Sequence, residues 1–343
     1  MSKVLVMGPA WVGDMILAQS LFKQLKQQSQ DCQISVAAPV WTLPLLARMP
    51  EVSHSIALPF KHGEAALLAR YRLGKQLSQH AFTQAILLTN SFKSAIVPWA
   101  AGIPQRTGFK GELRYGLVND MRPIDKSVLK QTVERFVSLG LAAGQALPTL
   151  LPRTQLYVDK QHAQALARSW QLDTNKGRIL GLCPGAEFGE AKRWPAAHYA
   201  EVARHALDAG WQVWLFGSVK DQPVTSEIQS LTQQRCTDLA GKTTLGEAID
   251  LLSLCSQVIS NDSGLMHVTA ALDIPLIAIY GSSDPTHTPP MTPQAVIETL
   301  ALACSPCFKR TCPLGHLNCL QQLAPSRVMS HLPLIKAHAH VSV

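Results

Sequence analysis

The sequence predicts an α/β protein with two tandem parallel sheets, each flanked by helices, in domains at 1–165 and 166–325 followed by a terminal helix over 326–343. Three observations predict it. Short apolar runs alternate with segments whose apolar residues recur at helical spacing. The 343 residues suit two domains of ~150 residues. The alternation also starts afresh after the polar stretch at 173–177.

The first half opens with an apolar strand over 3–7 and a glycine-marked loop. A helix follows from Asp14, on which Met15, Leu17, Ala18, Leu21, Phe22 and Leu25 share a face. Further strands are expected over 34–38, 56–58 and 85–88, with a helical stretch at 64–78. The second half reads as strand 178–183, helix 195–209, strand 212–216, helix 222–234, helix 245–255, strand 257–260, helix 265–272 and strand 275–280. In the terminal segment, Val328, Leu332 and Ile335 stand at near-helical spacing. Two such sheets in tandem imply ligand sites at the C-terminal ends of their strands.

Composition excludes several classes. Hydrophobic residues make up 47% and charged residues 16%, which excludes disorder. No run approaches ~18 uninterrupted apolar residues. Gly8, Pro9 and Asp14 break the only signal-like opening, so the cytoplasm is the expected compartment. The net charge of +8 is unevenly spread: residues 1–165 carry 18 Lys and Arg against 9 Asp and Glu, whereas 166–343 carry 13 against 14. An anionic partner for the first half follows. Aromatics are 6% of the chain and no nucleic-acid-binding pattern occurs, so nucleic acid is not expected.

Two nucleotide motifs can be tested and dismissed. Gly241-Lys242-Thr243 has Cys236 where a phosphate-binding P-loop needs glycine, and the loop after the first strand offers only Gly8 and Gly13 where a dinucleotide fingerprint needs three glycines. Two other loops suit a diphosphate. In Asn261-Asp262-Ser263-Gly264 the following helix presents free N–H groups, with His267 one turn further on. Asp262 or Ser263 can equally serve as a plain N-cap. In the 184–195 loop, Glu187, Lys192 and Arg193 precede Pro195. Cations beside a helix N-terminus oppose its dipole, a conflict that a bound anion removes.

In the first half Asp14 can cap its helix or act as a general base toward an attacking hydroxyl. Lys93, Arg106 and Arg114, with Lys110 and Arg122, are candidate anion contacts. Lys61, His62, Arg70, Arg72 and Lys75 flank the apolar 65–69 stretch, the pattern of a helix on an anionic surface or of a solvated face. Cys304, Cys307, Cys312, His316 and Cys319 can close a structural zinc site, although the second pair of ligands is imperfectly spaced. Reduced thiols, facultative disulfides and redox chemistry are the other readings.

Taken in order, the opening 6–15, Asn90 to Ser94, Gly102 to Gly108, Arg114 to Gly116, the 184–195 loop, Phe216-Gly217-Ser218, Leu239 to Thr243 and Asn261 to His267 resemble the ADP-heptose:lipopolysaccharide heptosyltransferases of glycosyltransferase family 9. The form Pro-Gly-Ala-Glu-Phe-Gly-x-Ala-Lys-Arg-Trp-Pro is closer to the second type than to the first. The resemblance implies a GT-B architecture, two Rossmann-like domains facing across a cleft. It also implies inverting transfer of L-glycero-D-manno-heptose from ADP-heptose to the first heptose of the lipopolysaccharide inner core, heptosyl-Kdo2-lipid A, with no required cofactor or catalytic metal. It matches Asp14 to the base, Lys192 to the diphosphate cation, and Asp262, Gly264 and His267 to the donor loop. Gly217 and Ser218 fall on the adenosine side. Such an enzyme is expected at the cytoplasmic face of the inner membrane as a peripheral protein. A heptosyltransferase of the first type, a nucleotide-sugar epimerase on the same fold and a non-catalytic polyanion-binding protein are the alternatives.

Overall fold

The computed structural model describes residues 2–61 and 63–333, so His62 and Ile335 lie outside the described residues. Among the described residues, twelve strands form two six-stranded sheets. In the first, β1 (Lys3–Met7), β2 (Gln33–Pro39), β3 (Val52–Leu58), β4 (Gln84–Leu87), β5 (Gln105–Phe109) and β6 (Asp120–Arg122) lie in the order β3-β2-β1-β4-β5-β6. The second holds β7 (Ile179–Cys183), β8 (Gln212–Leu215), β9 (Thr237–Asp238), β10 (Gln257–Asn261), β11 (Leu276–Tyr280) and β12 (Ala295–Thr299), in the order β12-β11-β10-β7-β8-β9. All these pairings are parallel. Counted within its own half, each sheet has the same strand order, 3-2-1-4-5-6, the doubly wound arrangement inferred from alternating strands and helices.

Burial explains which strands the sequence shows openly. Residues of β7, β10 and β11 are buried throughout, as expected for parallel strands covered on both faces. By contrast β3 and β12, at the sheet edges, are partly exposed, and their apolar stretches, Ile56–Leu58 and Ala295–Ile297, are only three residues long. The strands without an apolar signature, β5, β6 and β9, are short and polar and lie at or beside an edge.

The chain divides into two compact units, 1–157 with 286–291, and 158–285 with 292–343. The division comes eight residues before the expected 165, because the helix Lys160–Ser169 packs on the helix Leu245–Leu252 of the second unit. In the first unit the core joins Leu5, Met7, Ala85, Leu87 and Val97. The second unit is built around Trp194, Tyr199, Val213, Ile259, Ile277 and Leu320.

Of the expected terminal helix over 326–343, the described residues hold Pro325–Met329, with Val328 in the second core and Leu332 packed against it, and 334–343 lie outside the described residues. Arg327 and His331 both pair with the buried Glu298 of β12, which anchors this segment. Among the described residues no helix is long and apolar enough to cross a membrane.

Candidate active site

In both units the strand order reverses beside the first strand, between β1 and β4 and between β7 and β10. Ligands of open parallel sheets bind at that point, outside the carboxyl ends of the strands. The sequence candidates lie there: Asp14 just beyond β1, Lys93 beyond β4, Lys192 in the loop after β7, and Asp262 directly after β10.

In the second unit Lys192 ends a short 3₁₀ turn, Glu190–Lys192, and its Nζ stands 2.5 Å from Asp262 Oδ2. That carboxylate also accepts from Ser283 Oγ at 2.5 Å and is 5% exposed. Asp262 is therefore committed to Lys192 and Ser283. Ser263 is the N-cap of the helix Gly264–Ala271 but makes no side-chain cap bond, and its Oγ meets Ser260 Oγ at 3.2 Å. The plain-capping alternative thus fails for both residues. The helix opens at Gly264 with amides that no capping side chain satisfies, beside a cation. An ammonium has three N–H donors, and only one is needed for Asp262.

His267 sits one turn into this helix, and its Nδ1 is buried with no protein partner. Burial lowers its pKa to about 4, against the Asp262 carboxylate and with a further push from Lys192. It therefore offers a neutral hydrogen-bonding edge at pH 7.

Asn261 holds the two loops together, a role the sequence did not reveal. Its Nδ2 donates to Pro184 O at 2.6 Å, and its Oδ1 accepts from Trp194 N at 3.1 Å and Tyr199 Oη at 3.0 Å. Trp194, fully buried, donates from Nε1 to Leu323 O at 2.9 Å and packs edge-on against Tyr199. Both ends of the 184–195 loop are thereby fixed. Across its middle, Phe188 is flanked by Lys192 and Arg310, 5.0 and 5.4 Å from the ring centroid.

Gly217 and Ser218 belong to a second rigid corner. Asp221 accepts from Ser218 N at 2.9 Å and Ser218 Oγ at 2.8 Å. A Cβ on Gly217 would fall 2.8 Å from Asp221 Cβ, and one on Gly185 would fall 2.3 Å from Asp221 Cγ. Both glycines are needed for that approach. The Ser218-x-x-Asp221 spacing was a legible sign of this capping box. Glu187 pairs with Lys220 on the exposed rim.

In the first unit the N-cap of the helix Val12–Gln28 is Trp11, which leaves Asp14 in the first turn, where the helix dipole favours its ionised form. Lys93 is half-buried in the turn Phe92–Ala95. Arg106 and Arg114 are used internally. Arg106 donates to the carbonyls of Ile103, Gly116 and Leu117. Arg114, with no exposed surface, donates to Thr89 O at 2.7 Å, to Phe109 O and to Asn90 Oδ1. These bonds fix the loops beyond β4 and β5, with Lys93 on the adjoining turn; Arg114 has no surface left for a direct anion contact, whereas Arg106 keeps part of its surface exposed. The Arg70 guanidinium likewise lies over the Phe60 ring and donates to Ala65 O and Glu64 O.

The cysteine cluster is spatially real. Cys304, Cys307, Cys312, His316 and Cys319 line one cavity of about 20 Å³, together with Ala191 and Ser282. Backbone N–H groups at Leu314, Gly315, His316 and Leu317, led by Leu317, lower the Cys312 pKa. All four thiols are free, and among the described residues no three His, Cys, Asp or Glu side chains are arranged to hold a metal ion. The cluster supports the site from behind, where Arg310 O accepts from Ala191 N at 3.0 Å.

Comparison with known proteins bears on the family and the fold. The lipopolysaccharide heptosyltransferase 2 of Escherichia coli is 44% identical over 339 residues, covering 96% of this chain and 97% of that one. The lipooligosaccharide heptosyltransferase 2 of Haemophilus influenzae is 47% identical over 306 residues, 86% and 87% of the two chains. The solved structure of Escherichia coli ADP-heptose lps heptosyltransferase II superposes with a TM-score of 0.87 at 42% identity, covering 96% of each chain. The profile of glycosyltransferase family 9 (heptosyltransferase) matches residues 70–318. With its two doubly wound units, this chain belongs to glycosyltransferase family 9, the heptosyltransferases.

Proposed function

We propose that this enzyme transfers L-glycero-D-manno-heptose from ADP-heptose to the first heptose of the lipopolysaccharide inner core, with inversion at the anomeric carbon. The observation that carries the donor half is the Lys192–Asp262 pair beside the open N-terminus of the helix Gly264–Ala271. The second unit binds the ADP moiety there. Lys192 and the helix amides take up the charge that collects on the diphosphate as the C1–O bond breaks. His267 contributes a neutral hydrogen bond, and the corner at Gly217 and Ser218 holds the adenosine side. Asp14 of the first unit takes the proton from the acceptor hydroxyl, whose oxygen forms the new bond to C1 from the face opposite the departing ADP. No metal has a step in this scheme.

The excess of basic residues in 1–165 supports an anionic acceptor on that unit. The acceptor is lipid-linked, so the protein is proposed to work peripherally at the cytoplasmic face of the inner membrane. Supplying ADP-heptose with heptosyl-Kdo2-lipid A tests the reading by mass spectrometry. One added heptose is expected, and none with Asp14→Asn at matched time; an acceptor left unmodified by the wild-type enzyme would refute it. Isomerisation of the donor without transfer would favour the epimerase alternative instead.

A further inference from the structure

The first unit carries an apolar patch that neither its core nor the transfer chemistry uses. On the helix Leu67–Leu77, Leu67 is 49% exposed, Leu68 61% and Tyr71 38%; Trp99, on the neighbouring helix Ile96–Ala100, is 45% exposed. The two helices lie unusually close at Gly74, where a Cβ would fall 2.5 Å from Val97 O and 2.6 Å from Ala100 Cβ. That approach brings the Tyr71 and Trp99 rings to 6.1 Å. The patch is thus built by packing and is continuous across two elements.

Its border is basic. Arg72 and Lys75 are exposed on the same helix, Lys75 lies 5.5 Å above the Tyr71 ring, and Lys61 is exposed just before it. Arg70, the cation that the sequence groups with these, is instead turned inward and stabilises the segment before the helix. Two leucines, a Tyr–Trp pair and flanking cations have different affinities. The leucines favour acyl chains, the amphipathic rings favour the headgroup boundary, and the cations favour anionic headgroups.

We infer that the face formed by Leu67, Leu68, Tyr71 and Trp99, with Arg72 and Lys75 at its edge, docks the first unit onto an anionic phospholipid bilayer. The occupant is the bilayer surface itself, because the cations complement anionic headgroups while the leucines have no polar partner to satisfy. This deepens the acceptor-side reading and rests on it in one respect, that the acceptor is anchored in a membrane. Docking of this kind would hold the first unit at the surface where that acceptor is displayed.

The test is co-sedimentation of the full chain with phosphatidylcholine vesicles containing or lacking phosphatidylglycerol. Alongside it runs a transfer assay with ADP-heptose and detergent-dispersed acceptor. Wild type is expected to sediment with the anionic vesicles and much less with phosphatidylcholine alone. Leu67→Glu with Leu68→Glu should lower the partition coefficient at least tenfold and leave transfer in detergent within about twofold of wild type. Arg72→Glu with Lys75→Glu should also lower binding to anionic vesicles, since each basic side chain near such a surface contributes about fivefold. Wild type that stays in the supernatant, a leucine variant that sediments like wild type, or equal binding to both vesicle types would overturn the inference. Transfer in detergent without vesicle binding would remove the docking face and leave the proposed function standing. Patch-dependent vesicle binding without transfer would do the reverse.

Discussion

Lys192 and Asp262, seventy residues apart in sequence, meet at 2.5 Å where the loop after β7 faces the end of β10. The carboxylate is almost fully buried and the ammonium only 17% exposed, so the pair is a fixed part of the second unit. Asp262 orients the lysine while leaving two of its N–H donors for a ligand. Lys192→Ala is expected to lower kcat/KM for ADP-heptose by roughly 10²-fold or more. It should also destabilise the fold by about 3–5 kcal/mol, because Asp262 stays buried without its cation. Steady-state kinetics with varied donor, with thermal unfolding in parallel, would check both; wild-type donor kinetics would remove Lys192 from the diphosphate site.

Asp14→Asn keeps the shape of the first helical turn and removes the carboxylate proposed as the base. The expected result is an unchanged near-ultraviolet circular dichroism spectrum with kcat lowered roughly 10²–10⁴-fold. A variant retaining a third of wild-type kcat would mean that the proton leaves by another route.

Asn261→Leu fills similar volume but leaves Trp194 N and Tyr199 Oη without their shared acceptor and Pro184 O without its donor. Each buried polar group left unpaired costs roughly 1–3 kcal/mol. A fall of several degrees in Tm is therefore expected, accompanied by a raised KM for ADP-heptose as the 184–195 loop loosens. If Tm falls while donor KM stays constant, Asn261 serves stability alone.

His267 titrates at about 4 in the folded protein, below the ordinary histidine value of 6.5. Between those values the unfolded chain binds more protons than the native one. Stability linked to His267 is complete above about pH 6.5 and declines as pH falls toward 4. The displacement corresponds to roughly 3 kcal/mol at most. His267→Gln should flatten the stability curve across that window in denaturant titrations at pH 4–7; an unchanged slope would mean that other groups carry the acid sensitivity.

How much of this was legible in the sequence depended on burial. The central strands are buried throughout because helices cover both their faces, whereas the apolar stretches of the edge strands β3 and β12 shrink to three residues, Ile56–Leu58 and Ala295–Ile297, with the rest half in solvent. The loop residues Lys192, Asp262 and Gly264 stand out because an unbalanced cation and a glycine at a helix start carry local meaning. Asn261 did not stand out, since its partners Pro184, Trp194 and Tyr199 lie more than sixty residues away in sequence. Arg114 was misread for a related reason. Its residue type suggests an anion contact, but only the folded chain shows three oxygen acceptors already gathered around it.

The repeated 3-2-1-4-5-6 strand order separates what this protein can vary from what it must keep. In each unit the candidate site residues Asp14, Lys93, Lys192 and Asp262 follow the carboxyl ends of the strands, while the strands themselves bear the packing. A change of nucleotide or sugar preference could therefore be engineered by exchanging the short segment after β10 together with the one after β7. The two must be exchanged as a matched set, because Asn261 and the Lys192–Asp262 pair tie them to each other. The scaffold that tolerates new loops is also the one that requires them in compatible pairs.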